Sequence, residues 1–209
     1  MVNLAAYWSR LTENVHPDDV EIFAVFARHS FNLDHPPPAF VGDVLNAPVI
    51  ILDNNGGYDE IMTPKEFASP DADRMFRASL ADPRPIQYCA PYLSEYYRSS
   101  NYSAYLRSGD AALVNGVAYR SRDGRHSSIK ALTGLLRSAQ EHRRWLTETI
   151  LPQVQRGERF VIVHRWARWG SATDVFRNEA NAIFSRSPVS KNLSAAEILA
   201  LDNFLRRRV

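Results

Sequence analysis

Residues 47–53 read APVIILD, a largely apolar run with several β-branched side chains. A run of this length and composition is typical of a strand that is buried on both faces, as the strands of parallel sheets are. The next five residues, NNGGY at positions 54–58, predict a turn directly after the strand. Further out along the chain, three more runs predict buried strands: AALVNGV at 111–117, FVIVH at 160–164 and AIF at 182–184.

The segments between these strands have helical patterns. Residues 6–33 predict two helical pieces with a break at His16-Pro17, residues 59–108 predict short helices, and residues 127–151 predict one long helix. Ser194 with a glutamate three residues later predicts a capping box and a last helix. Strands that alternate with helices indicate a parallel sheet covered on both faces. We expect one domain, a three-layer α/β/α sandwich with a central, mainly parallel four-stranded sheet.

Size and composition restrict the class of protein. A chain of 209 residues with 45% hydrophobic side chains suits one domain with a sizeable core. The apolar runs are too short to span a bilayer, and the N-terminal residues lack the apolar segment of a signal peptide. The single cysteine, Cys89, excludes an internal disulfide framework. We expect a cytoplasmic protein that does not associate with membranes, and a monomer.

Charge is unevenly distributed along the chain. Residues 1–115 contain 8 Lys/Arg and 15 Asp/Glu, whereas residues 116–170 contain 11 Lys/Arg and 4 Asp/Glu. Such a basic segment favours a positive face and an anionic partner such as DNA, with Arg120 and Arg122 as candidate DNA contacts. The alternative is that these charges form the solvated faces of helices.

Polar residues stand at the end of each predicted strand. They are residues 53–58, Asn115, His164 and residues 185–190, and they should converge on one cleft because the carboxyl ends of parallel strands meet at one edge. The histidines have no metal-site spacing, and there is no phosphate-binding loop or nucleophile elbow, so we expect no metal and no cofactor. The Asn115 amide is suited to pairing with the edge of a base. Asn115 can equally be a turn former before Gly116, and a lone strand-end histidine is more often structural than catalytic.

Three of these segments resemble motifs of the uracil-DNA glycosylase superfamily, in the same order. Residues 53–57 (DNNGG) are similar to the first motif, GINPG in one branch. Residues 113–117 (LVNGV) are similar to the strand that carries LLLN, and residues 185–190 (SRSPVS) keep the Ser-Pro-x-Ser part of HPSPLS. The resemblance implies an enzyme of base-excision repair. It would flip uracil, or a related deaminated base, out of single- or double-stranded DNA and hydrolyse its N-glycosidic bond without a cofactor.

The resemblance also implies roles for individual residues. Asn55, or Asp53 if the register differs by two, would orient the hydrolytic water, and Asn115 would read the uracil edge. Phe67 would stack on the base, although a core phenylalanine is an equally good interpretation. Backbone amides near Asn54 would help to stabilise the charge that develops on uracil.

Other positions follow from the same resemblance, and one departs from it. Tyr58 would exclude the thymine methyl group, while Ser187 and Pro188 would pinch the DNA backbone. The histidine that begins the last motif, and that stabilises the leaving uracil, is replaced here by Ser185. Arg186, His164 and His126 are the candidates to take over that role.

Three other functions remain open from the sequence. The chain could be a noncatalytic or altered-specificity nucleic-acid-binding member of the same fold, because a glycine at position 57 leaves room for a larger base. It could be a nucleoside hydrolase that uses the same amide-lined cleft and needs no basic face. It could also be an interaction protein that uses its many tyrosines as a binding surface.

Overall fold

A mixed sheet of six strands runs through the computed structural model, which describes residues 2–123, 126–186 and 190–208. The strands are β1 (Phe31–Asn32), β2 (Phe40–Val41), β3 (Val49–Gly57), β4 (Ala111–Ser121), β5 (Phe160–Val163) and β6 (Ala182–Phe184). Strands β4, β3, β5 and β6 lie side by side in that order and are parallel. Strands β1 and β2 both pair with β4 in the antiparallel direction.

The α/β class is confirmed, and the sheet differs from the expected one. All four predicted strands form, and together they make the parallel part of the sheet. The sheet is nevertheless mixed and six-stranded, because β1 and β2 add antiparallel pairing to β4. Each of these two strands has only two residues, which is too short for an alternating pattern to be recognised in the sequence.

Strands β3 and β4 continue through the two places where the sequence predicts turns. β3 remains paired with β4 as far as Gly57, and β4 passes through Asn115 and Gly116 without interruption. The glycines serve close packing instead of turns. A Cβ atom at Gly56 would overlap the ring of Pro38, and one at Gly116 would lie 3.0 Å from Trp169 Nε1. The turn predicted at 54–58 is therefore wrong, and the interpretation of Asn115 as a turn former does not hold.

Helices and short helical turns fill the connections between strands. The α-helices are α1 (Leu4–Trp8), α2 (Val20–Val25), α3 (Met62–Glu66), α4 (Pro70–Ala81), α5 (Glu95–Arg98), α6 (Ser103–Ser108), α7 (Ser127–Thr133), α8 (Arg137–Trp145), α9 (Leu151–Gln155) and α10 (Ala195–Arg206). The long helix expected over 127–151 is divided, since α7 ends before α8 begins and a π-helical turn, Leu146–Ile150, joins α8 to α9. None of the helices formed by the described residues has both the length and the hydropathy needed to cross a membrane.

Alternating side chains of the central strands pack on opposite faces of the sheet. Ile50 and Leu52 lie in a core that includes residues of α1, α4, α8 and α9. Val49 and Ile51 lie in a second core with residues of α5, α6 and α10. Helices thus cover both faces, as the three-layer prediction requires. The sequence also predicts the start of α10, where Ser194 and Glu197 form the expected capping box.

Candidate active site

A cavity of about 650 Å³ opens at the carboxyl ends of the parallel strands. Its wall comes from the end of β3 and the loop after it, from α3 and α5, from the end of β4, and from the segment that follows β5. Of the predicted strand-end residues, those of the first segment except Gly56 line the cavity, and β4 contributes Arg120 and Ser121, which the prediction did not name. Asn115, His164 and Ser185 do not line this cavity.

Asp53 is the most buried of the first-motif residues in the cavity wall, with 3% of its surface exposed. Its Oδ1 accepts a hydrogen bond from the Asn54 backbone N (2.7 Å), and its Oδ2 accepts one from the Tyr96 hydroxyl (3.3 Å). Burial, reinforced by the negative charge of Asp53, raises the pKa of Tyr96, so this hydroxyl remains a donor. The carboxylate is thereby fixed in one orientation at the end of β3.

Arg165 connects the first and last motif segments. Its backbone N donates to Leu52 O (2.9 Å), its Nη1 lies 3.4 Å from Asp53 Oδ1, and its Nη2 donates to Ser190 O (2.9 Å). The side chain is 21% exposed and lines the cavity. A cation is thus held against the Asp53 carboxylate where the two segments meet.

The two asparagines that follow Asp53 form the next part of the wall. Asn54 Oδ1 accepts a hydrogen bond from the Arg168 backbone N (3.2 Å). Asn55 Nδ2 donates to Ser121 Oγ (2.8 Å) and to Gly56 O (3.0 Å). With its amide nitrogen used in this way, and with no donor to its Oδ1 among the described residues, Asn55 can accept a hydrogen bond from water or a ligand in the cavity.

Glu66, Tyr97 and Arg120 form a buried polar group in the same wall, each of them less than a tenth exposed. Arg120 Nη1 lies 3.5 Å from Glu66 Oε2 and donates to Gly57 O (3.3 Å), while Arg120 Nε donates to Pro36 O (3.2 Å). Burial lowers the pKa of Arg120 and raises the pKa of Glu66, because it disfavours the charged form of each. Arg120 opposes the shift in Glu66 without cancelling it.

Asn115 lies inside the sheet, with 1% of its surface exposed. It is the register partner of Asp53 on β4, and its Nδ2 donates to Pro38 O (2.6 Å). Burial raises the pKa of Tyr97 to about 12, and a side-chain hydrogen bond with Asn115 opposes that rise. Because Tyr97 lines the cavity and Asn115 does not, Asn115 is linked to the cavity through Tyr97.

His164 is a fully buried core residue. Its Nδ1 lies 3.4 Å from Glu197 Oε1, and its Nε2 lies 2.8 Å from Ser190 O. These contacts secure the start of α10 and agree with the structural interpretation of a strand-end histidine. The structure therefore does not bring His164 to the cavity as a catalytic residue.

The two aromatic residues predicted to contact a base lie beside a histidine. The Phe67 ring stacks on His35 (5.4 Å between centroids), and the Arg120 guanidinium lies over the same ring at 5.2 Å. Tyr58 also faces His35, at 6.4 Å, and lines the cavity. Phe67 packs against the main core and is not in the cavity wall, which matches its interpretation as a core phenylalanine.

The residues predicted to contact DNA lie in different environments. Arg120 is 4% exposed and bound to backbone carbonyls, so it is a buried residue of the wall and not a surface phosphate contact. Arg122 is exposed and pairs with Glu60 at 2.5 Å. Arg186 is exposed and is not part of the cavity wall. Ser187 and Pro188 lie outside the described residues.

The basic segment does not leave all of its charge on the surface. Arg120, Arg159 and Arg168 are buried, and Arg143 donates to the carbonyls of Thr133 and Arg168. Three exposed arginines of this segment pair with carboxylates, namely Arg122 with Glu60, Arg144 with Glu141, and Arg156 with Glu158. Much of the predicted positive face is thus used inside the fold or in ion pairs.

Sequence reasoning missed Tyr96, Arg165, Arg168 and Glu66. A signal existed for Arg165, which directly follows the buried run FVIVH at 160–164. Side chains alternate along a strand, so His164 shares its face with Phe160 and Ile162, and these pack with residues of α10. The other three lie in short helices and loops whose placement depends on the tertiary fold.

A second, mostly apolar cavity of about 300 Å³ adjoins the first, and the two share Ser94, Tyr97 and Arg120. No group of three or more His, Cys, Asp or Glu residues within 2–123, 126–186 and 190–208 is arranged to hold a metal ion. Comparisons of the chain with protein-family models, with curated proteins and with solved structures find no match.

Proposed function

We propose that the protein hydrolyses the N-glycosidic bond of uracil, or of a related deaminated base, in DNA. The observation that carries this proposal is the meeting of the three motif segments at one place. Asp53 of the first segment is the register partner of Asn115 of the second, and Arg165 joins Asp53 to Ser190 of the third. A mixed sheet with four parallel strands and helices on both faces, with its cavity at the carboxyl ends of those strands, supports a glycosylase-like interpretation of the fold.

The groups in the wall suit a dissociative hydrolysis. As the bond from the sugar to the base breaks, positive charge develops on the sugar and the base takes the electron pair. In this proposal the Asp53 carboxylate orients a water molecule and accepts its proton, and Asn55 Oδ1 accepts a second hydrogen bond from that water, since both residues line the cavity. Arg165 and Arg168 supply positive charge for the leaving base from fixed positions. Asn115 then acts as a positioning residue behind Tyr97.

The direct test measures free base released from single- and double-stranded oligonucleotides that carry uracil, hypoxanthine, xanthine or mismatched thymine. We expect uracil release by the wild-type protein and a loss on the order of a hundredfold in Asn55→Ala, the size typical for removal of one preorganised hydrogen-bonding group. Asn178→Ala is the matched control, because Asn178 is exposed and does not line the cavity. Release of no base by the wild-type protein would contradict the proposal.

A second candidate is hydrolysis of a free nucleoside. It is favoured by the charge of the wall, which contains five carboxylates (Asp53, Asp59, Glu66, Glu95 and Asp123) beside four arginines (Arg120, Arg122, Arg165 and Arg168). Salt separates the two substrates, because binding to DNA weakens steeply as salt concentration rises. Turnover of deoxyuridine that is faster than release from oligonucleotides, with little dependence on salt, would favour the nucleoside.

A further inference from the structure

Glu66 is a buried carboxyl group in the cavity wall that the steps above do not use. It is 8% exposed, and its Oε2 accepts no hydrogen bond from any described residue. Among the described residues it pairs with Arg120, whose Nη1 lies 3.5 Å from Glu66 Oε2, outside good hydrogen-bond geometry. An ionised carboxylate that is buried with an unbonded oxygen is unfavourable, whereas the neutral acid avoids most of this penalty.

The surroundings of Glu66 favour a group that can hold a proton and also release it. Burial raises the pKa of Glu66, and this effect exceeds the opposing effects of Arg120, Ser94 and Arg98. Asp59 adds to the rise, and Tyr97 faces the same group from α5. Once the proton has left, Arg120 lies close enough to stabilise the carboxylate that forms.

We propose that Glu66 is a catalytic proton donor to the leaving base, and that it takes over the stabilisation that the resemblance assigns to the histidine of the last motif. This inference rests on the proposed glycosylase function. The bond between C1′ of the sugar and N1 of uracil breaks, its electron pair moves into the ring, and the Glu66 proton goes to O2 of uracil. The oxygen of water bonds to C1′, its proton passes to Asp53 and then to solvent, and solvent returns a proton to Glu66.

The experiment compares two leaving groups under single-turnover conditions. Oligonucleotides carry uracil or 5-fluorouracil, whose anion is more stable and depends less on protonation as it leaves. We expect Glu66→Gln to slow release of uracil by about a hundredfold or more, the range for loss of general acid catalysis, and to slow release of 5-fluorouracil much less. Glu66→Asp should recover part of the uracil rate. Glu21→Gln, on the exposed surface of α2, is the control for the same chemical change.

The wild-type pH profile provides a second readout that does not depend on the folding of the variant. The rate of uracil release should fall as pH is raised through the pKa of Glu66, and the fall should be smaller with 5-fluorouracil. Equal slowing of both bases in Glu66→Gln, or an identical fall in rate with rising pH for both bases in the wild-type protein, would overturn the role of Glu66 and leave the glycosylase proposal intact. Release of neither base by the wild-type protein would overturn both.

Discussion

At the scale of single residues, the cavity depends on how Asp53 is held. Its two carboxylate oxygens are engaged by the Asn54 backbone N, by the Tyr96 hydroxyl and by Arg165. Because these partners come from three different parts of the chain, the orientation of Asp53 depends on the complete fold. The chemistry that we propose therefore needs the assembled sheet and α5, and an isolated motif segment would not reproduce it.

His142 is a second residue whose environment leads to a measurable consequence. It is fully buried, its Nε2 accepts from Trp8 Nε1 (2.7 Å), and its Nδ1 therefore donates to Asn115 O (2.6 Å). Burial lowers its pKa to about 4. Between pH 6.5 and 4 the unfolded chain binds a proton at this position that the folded protein excludes, so the free energy of unfolding falls as pH is lowered through this window.

We predict that His142 contributes up to about 1.4 kcal/mol per pH unit to this fall. Denaturant unfolding at pH 7, 6 and 5 should give a steeper loss of stability in the wild-type protein than in His142→Gln, which does not titrate. His16 is also buried with a lowered pKa, so the variant should retain part of the slope. Parallel pH dependences in the two proteins would refute the assignment.

Whether a site residue could be predicted from the sequence depends on whether its position is set by a local pattern. Asp53, Asn54 and Asn55 could be placed at the cavity because they directly follow a strongly apolar strand. His164 also follows a strand, and Asn115 lies in the middle of β4 because that strand continues to Ser121, but both side chains are buried. Glu66 and Tyr96 could not be placed, because nothing local tells which short helix will pack over the end of β3.

At the scale of elements, the two adjacent glycines near the end of β3 show whether glycine is needed there for close packing or for its backbone conformation. Both Gly56 and Gly57 lie in strand, and neither has a positive φ. A methyl group at Gly56 would collide with the rigid Pro38 ring and come within 3.3 Å of Ala118 O, whereas nothing lies within 4 Å of the corresponding position at Gly57. The requirement for glycine at position 56 is therefore steric.

We predict that Gly56→Ala lowers the free energy of unfolding by about 1–3 kcal/mol, the usual effect of forcing a group into filled space. Gly57→Ala is the matched control on the next residue and should stay within about 0.5 kcal/mol of the wild-type protein. Urea denaturation of the three proteins measures both values. Equal stability of the two variants would show that the Pro38 contact does not constrain this strand.

The elements themselves were predictable to different extents. The four apolar strands and the capping box of α10 depend on local patterns, and all of them form. The turns predicted at Asn54–Tyr58 and Asn115-Gly116 do not form, because these residues continue the pairing of β3 with β4. Glycine next to asparagine favours a turn locally, but here pairing with a neighbouring strand overrides that preference, and the sequence does not show which strands will be neighbours.

At the scale of the whole molecule, the surface charge and the antiparallel strands both depend on tertiary packing, which the sequence pattern does not show. The basic segment 116–170 contributes buried arginines to the fold as well as exposed ones to the surface, so a count of charges overstates the positive face. Strands β1 and β2 pair with β4 over distances in sequence that no local pattern reveals. The fold class can be predicted from local sequence patterns, whereas the surface charge and the strands added to the sheet depend on tertiary packing.

We propose that the cavity at the end of β3 hydrolyses a base from DNA through Asp53. The most direct test is the single-turnover rate of uracil release by the wild-type protein and by Asp53→Asn, which keeps the shape of the side chain and removes its charge. Asp71→Asn is the control, because Asp71 is exposed at the start of α4. We predict release by the wild-type and control proteins, and a rate at least about a hundredfold lower in Asp53→Asn. Equal rates in Asp53→Asn and the wild-type protein, or no release by either, would contradict the account.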